Sequence, residues 1–149
     1  MLKFRSGKIF THAQGLSCAF RQWRTDTHCA QIHGYSLQIE MTFERVDSSL
    51  DNRMWVMGFG DLKPIKQWLA EAFDHKMLVA KDDPELSNLL ALKENKLANI
   101  VIVDNVGVES FCKLVYDYTS HYLKNNHPDV NLNEIKIREH EGNWASYGI

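Results

Sequence analysis

From Tyr35 to Phe43 the chain alternates apolar and polar residues, with Tyr35, Leu37, Ile39, Met41 and Phe43 against Ser36, Gln38, Glu40 and Thr42. Successive side chains of a strand point to opposite faces, so this pattern predicts a half-buried strand. The segment Lys8 to Trp23 is rich in aromatic and small residues but less regular. It predicts the partner strand, with Gly7 and Gly15 as turn or bulge points. Near the C-terminus Ile135, Ile137 and Glu139 share one parity while Lys136, Arg138 and His140 share the other, which predicts a last strand.

Two stretches carry the helical period instead. Leu62, Ile65, Leu69, Ala72 and Phe73 fall on one face of a helix that Asp61 is placed to cap, with Pro64 tolerated in the first turn and an end near Asp74-His75. Val108, Phe111, Cys112, Val115, Thr119, Tyr122 and Leu123 form one stripe of a longer helix, which Asn125-Asn126-His127-Pro128 stops. Between them, Asp82-Asp83-Pro84 starts a short helical excursion through Leu86, Leu89, Leu90 and Leu92, and Asn99 to Val103 reads as a brief buried strand. Strands outside and helices between make an α+β chain. It reads as one domain over residues 1–149, with about 80–98 as a candidate insertion.

Composition restricts the function classes. A chain of 149 residues with 44% hydrophobic and 24% charged residues suits one soluble globular domain. The net charge of -2, with lysines and arginines scattered, lacks the basic footprint of a nucleic-acid binder. No apolar run approaches the roughly 18 residues of a membrane span, and the first residues lack the apolar stretch of a signal peptide, so the chain reads as cytoplasmic. Cys18, Cys29 and Cys112 are an odd number without a CxxC pair. That suits a reducing compartment and leaves a thiol free to work.

Three separated motifs carry candidate chemistry: Cys29-Ala30-Gln31-Ile32-His33-Gly34-Tyr35, Asp74-His75 and Arg138-Glu139-His140. A thiol, a histidine beside a carboxylate, a further histidine and a late glutamate cover a nucleophile or base, its activator, a metal ligand and an anchor for a polar substrate. His33 shares the parity of Tyr35 and Leu37, and Glu139 that of Ile135 and Ile137, so both face apolar surroundings if neither strand is bulged. An ionised carboxylate there costs several kcal/mol unless donors meet it. Either a cation such as Arg5, Arg21 or Arg24 pairs with Glu139, or a ligand carrying N–H groups does. Cys18 and Cys112 read as core residues, His12, His121 and His127 as surface histidines, and Trp144 as an aromatic able to cover a flat heterocycle.

In order and spacing these motifs resemble the 6-pyruvoyl-tetrahydropterin synthase and 6-carboxytetrahydropterin synthase family. The resemblance rests on the cysteine four positions before His-Gly, the alternating strand after it, the run Trp55 to Lys63, Asp74-His75 with Leu78, Glu109 opening a helix, and Arg138-Glu139. It covers nearly the whole chain apart from Val79 to Asn99. It implies a tunnelling fold: a small antiparallel sheet with two long helices on one face, whose subunits join sheet edges around a barrel. The implied homo-oligomer is a hexamer built as a dimer of trimers, with active sites at subunit boundaries.

The same resemblance implies roles. Cys29 matches the catalytic base or nucleophile, Asp74 and His75 the pair that activates it, and Glu139 the carboxylate that anchors a pterin. Glu109 matches a second pterin contact, although a first-turn glutamate equally serves the helix dipole. Zinc is the implied cofactor, held in the family by three histidines. Here His33 alone stands in register, with Phe20 and Tyr35 at the other two positions and His12, His28, His140 and Cys18 as substitute candidates. A catalytic zinc needs about three protein ligands. Gly58 stands where the family has an aspartate, with Asp61 close by to compensate. The implied activity is a lyase acting on 7,8-dihydroneopterin triphosphate, forming 6-carboxytetrahydropterin for 7-deazaguanine (queuosine-type) synthesis in preference to the pyruvoyl product. The alternative is a non-catalytic or metal-independent pterin- or purine-binding homologue.

Overall fold

A computed structural model describes all residues, Met1–Ile149. The strands are β1 Arg5–Phe10, β2 Ser17–Phe20, β3 His33–Ser36, β4 Gln38–Arg45, β5 Lys76–Ala80, β6 Asn99–Val103, β7 Val130–His140 and β8 Asn143–Gly148. The helices are α1 Lys63–Phe73, α2 Leu86–Glu94 and α3 Val108–Asn126. The fold is α+β, with the layout of a tunnelling fold. Four strands in the order β1-β4-β7-β8 form one wholly antiparallel sheet. A second sheet runs β3-β2-β5-β6, its β2–β5 and β5–β6 pairs parallel.

The alternating segment Tyr35–Phe43 spans both sheets. Leu37 sits between β3 and β4, its N–H donating to the Leu16 carbonyl at 2.9 Å. Leu37, Ile39, Met41 and Phe43 are fully buried beneath the helices, as the period-two pattern requires. The Lys8–Trp23 segment is not one strand. A short 3-10 turn at His12–Gln14 and Gly15, whose φ of 79° is the left-handed region glycine tolerates, divide it into β1 and β2.

Ile65, Leu69 and Phe73 of α1 and Phe111, Cys112, Val115 and Leu123 of α3 complete one core. Asp61 does not cap α1: that helix begins after Leu62 with no side-chain cap, and a 3-10 turn over Phe59–Leu62 precedes it. The Asp61 carbonyl instead accepts a hydrogen bond from the Tyr122 hydroxyl at 2.7 Å, tying the turn before α1 to α3. The segment about 80–98 supplies the turn and helix α2 that carry the chain from β5 to the parallel β6.

Candidate active site

Cys29 lies in a 3-10 turn, His28–Ala30, that buries none of its own residues. Hydrogen bonds hold it instead. The Gln22 N–H donates to the Cys29 carbonyl at 2.9 Å, and the Cys29 N–H reaches the Thr27 hydroxyl at 3.4 Å. Gln22 also donates its amide N–H to the Val106 carbonyl at 3.2 Å, which brings the Cys29 turn to the start of α3. There Gly107, at φ 112°, bends the chain into the helix whose first turn carries Glu109. The three thiols are not equivalent. Burial pushes Cys18 and Cys112 up to about 12, whereas Cys29 is only half-buried.

Glu139 sits where β7 loses register with β8, between the Arg138–Trp144 and His140–Asn143 pairs. Such a bulge re-aims a side chain at a sheet rim. Glu139 is half-buried there rather than enclosed like Ile135 and Ile137. Arg5 pairs with Glu44, Arg21 with Asp83 and Arg24 with Asp82, so none of the three arginines meets Glu139. Glu139 and Glu109 line one cleft of about 370 Å³ with Val108, Asn143, Trp144 and Ala145. Tyr35 stands beside Glu139. Burial first, and then the negative charge of Glu139, raise the phenol above its ordinary value.

Asp74 and His75 lie elsewhere. His75 Nδ1 is 3.0 Å from the Asp74 carboxylate, and the imidazole is 81% exposed. His75 has φ 56°, a left-handed conformation that a non-glycine residue adopts at a cost, and its N–H donates to the Ser17 carbonyl at 2.7 Å. The Cys29 turn hangs from Gln22, five residues beyond Ser17. His75 is thus tied to the first residue of β2 and the Cys29 turn to a residue past the last. Neither Cys29 nor Asp74 and His75 lines the Glu109–Glu139 cleft.

A family model for 6-pyruvoyl tetrahydropterin synthase matches residues 9–148. The chain belongs to that family. Among solved structures, an uncharacterized Wolinella succinogenes protein superposes at TM-score 0.84 and 17% identity, over 99% of each chain. The 6-pyruvoyltetrahydropterin synthase of Plasmodium vivax gives TM-score 0.67 and 12% identity over 99% of this chain and 100% of that one. The Caenorhabditis elegans enzyme gives 0.60 and 17% over 99% and 94%. At these identities the likeness is one of fold. A search of curated proteins returns no match.

The zinc expected of a synthase of this family does not fit the donors present. Phe20 and His33 are register partners across β2 and β3, with ring centroids 5.2 Å apart, and the His33 and Tyr35 rings are 5.3 Å apart. The three positions do converge, but only one carries an imidazole. His12 is bonded through Nδ1 to the Ser36 carbonyl at the far end of the β2–β3 pair, and His28 is exposed. His140 accepts from the Gly142 N–H at 3.0 Å, and Cys18 is buried in the core. No three histidine, cysteine, aspartate or glutamate side chains are grouped to hold a metal ion. The expected substitutes therefore do not rebuild the site. The Asp61 carboxylate lies 3.0 Å from where a Cβ at Gly58 would stand, so it occupies the neighbourhood of the family's aspartate.

Tyr35 was legible in the sequence only as a lost ligand. Its approach to Glu139 depends on β3 meeting the end of β7, which nothing in the local pattern signals.

Proposed function

We propose that the protein is a lyase of the 6-carboxytetrahydropterin synthase type acting on 7,8-dihydroneopterin triphosphate. Its working form is an oligomer in which Asp74 and His75 of one subunit approach Cys29 of the next. The observation that supports this reading best is Glu139: a half-buried carboxylate on a bulge, without a protein cation, sharing a cleft with Glu109 and Trp144. Two carboxylate oxygens accept from the amino group and ring N–H of a 2-amino-4-oxo heterocycle, which replaces the missing arginine. Cys29 as thiolate removes a proton from a side-chain carbon, triphosphate leaves with the electron pair of its carbon–oxygen bond, and the Asp74-oriented His75 takes the proton from the thiol and returns it to carbon. Cleavage of the bond between the first two side-chain carbons, with addition of water, leaves the carboxylate on the ring and releases the outer two carbons as an aldehyde.

A second reading is favoured by Phe20 and Tyr35 at the family's metal positions: a pterin- or purine-binding homologue whose site works without a metal, or binds without turnover. Incubation with 7,8-dihydroneopterin triphosphate separates the two. Triphosphate release that Cys29→Ala abolishes supports the lyase. Tight binding with no release supports the second reading, and neither binding nor release overturns both.

A further inference from the structure

The Cys29 turn has no buried side chain of its own, so whatever fixes the thiol must come from elsewhere. The charged group bonded to it is Arg21, the residue that follows β2. Its Nη1 donates to the Ala30 carbonyl at 3.0 Å, next to Cys29. Its Nε and Nη2 donate in a fork to Asp83, at 2.9 and 2.8 Å. All three guanidinium nitrogens are thus committed. Asp83, in the turn between β5 and α2, is 5% exposed, and its carboxylate also accepts the Glu85 N–H at 2.9 Å at the start of α2. A buried carboxylate with fixed partners is a rigid anchor, and a bidentate guanidinium transmits its position with little rotational freedom. Together with the Gln22–Cys29 bond, adjacent residues of one strand end hold the two consecutive carbonyls of Cys29 and Ala30.

We propose that Arg21 and Asp83 are positioning residues for Cys29, so that the segment between β5 and α2 sets the reactive turn. This rests on the lyase reading for its effect on turnover, but not for its effect on the turn. The carboxylate is 62 residues from the arginine it holds, so the β5–α2 segment is an extension of the active site.

The test uses the full-length assembled protein and two variants, Asp83→Asn and Arg21→Lys. Arg21→Lys keeps a cation beside Asp83 but lacks the planar fork that serves Asp83 and Ala30 at once, and it guards against Asp83→Asn failing to fold. Amide hydrogen exchange over residues 27–31 is expected to accelerate at least about tenfold while α1 and α3 stay protected. With 7,8-dihydroneopterin triphosphate, kcat is expected to fall about 10- to 100-fold with KM little changed, the signature of a misplaced reacting group. Unchanged exchange in the turn of a folded variant overturns the proposal whatever the activity. Accelerated exchange in a protein whose wild type turns over no pterin leaves the positioning intact and refutes the lyase reading instead.

Discussion

His75 Nδ1 stands 3.0 Å from the carboxylate of Asp74, on a backbone held at φ 56° and an imidazole open to solvent. A glycine at this position, just past the end of α1, would relieve about 1 kcal/mol or more of left-handed strain. The ion pair it would remove is exposed and contributes little. His75→Gly is therefore expected to hold Tm within about 2 °C of wild type or raise it, while turnover falls about 100-fold or more. Thermal unfolding and triphosphate release check both halves. A large loss of Tm would make His75 structural.

Glu139→Gln removes the charge from the carboxylate proposed to hold the heterocycle and turns one acceptor into a donor. Pterin affinity is expected to weaken about 10- to 100-fold, the range for hydrogen bonds to a charged group. Titration calorimetry with a dihydroneopterin reads it, and an unchanged Kd would dismiss Glu139 as the anchor.

Phe20, His33 and Tyr35 already converge, with ring centroids 5.2 to 6.0 Å apart. Replacing Phe20 and Tyr35 together by histidine is expected to give about one zinc per chain. The unaltered protein is expected to hold well below that after dialysis. Metal analysis decides; stoichiometric zinc in the wild type would contradict the donor argument.

Glu44 is buried and takes bonds from Lys3 at 2.6 Å, Asn133 at 2.8 Å and Arg5 at 3.4 Å. The Lys3 bond first, and then that of Asn133, lower its carboxyl in the folded protein. A depressed folded value gives stability that is present above the unfolded carboxylate range, near 4.3, and is lost as pH falls through the folded value. Glu44→Gln should lower Tm at neutral pH and flatten the acid limb of a Tm-against-pH series. A parallel acid limb in the variant would contradict this.

Much of the architecture was legible because one burial pattern dominated each element. Leu37 to Phe43 alternate over a core-facing sheet, and the stripes of α1 and α3 fall on the buried faces. β5 was hidden because Met77 to Ala80 are all buried, and a strand in parallel pairing reads as a continuous apolar run that merges with the end of α1. β8 was hidden for the opposite reason, being largely exposed on both faces. The Tyr35–Glu139 approach and the Arg21–Asp83 fork arise from pairings across 62 or more residues, and the Glu139 bulge interrupts its strand's alternation, so none leaves a local periodicity to read. The candidate residues themselves were legible, but not that His75 is tied to Ser17 at the start of β2 while the Cys29 turn is tied to Gln22 past its end.

That separation makes mixed oligomers the most direct test of a site shared between copies. Cys29→Ala and His75→Ala are each expected to be inactive alone, and coexpression should recover about one quarter of wild-type triphosphate release, the fraction of sites that random assembly leaves with both groups. Mixtures no more active than the better single variant, or full activity in a wild-type monomer, would contradict the account.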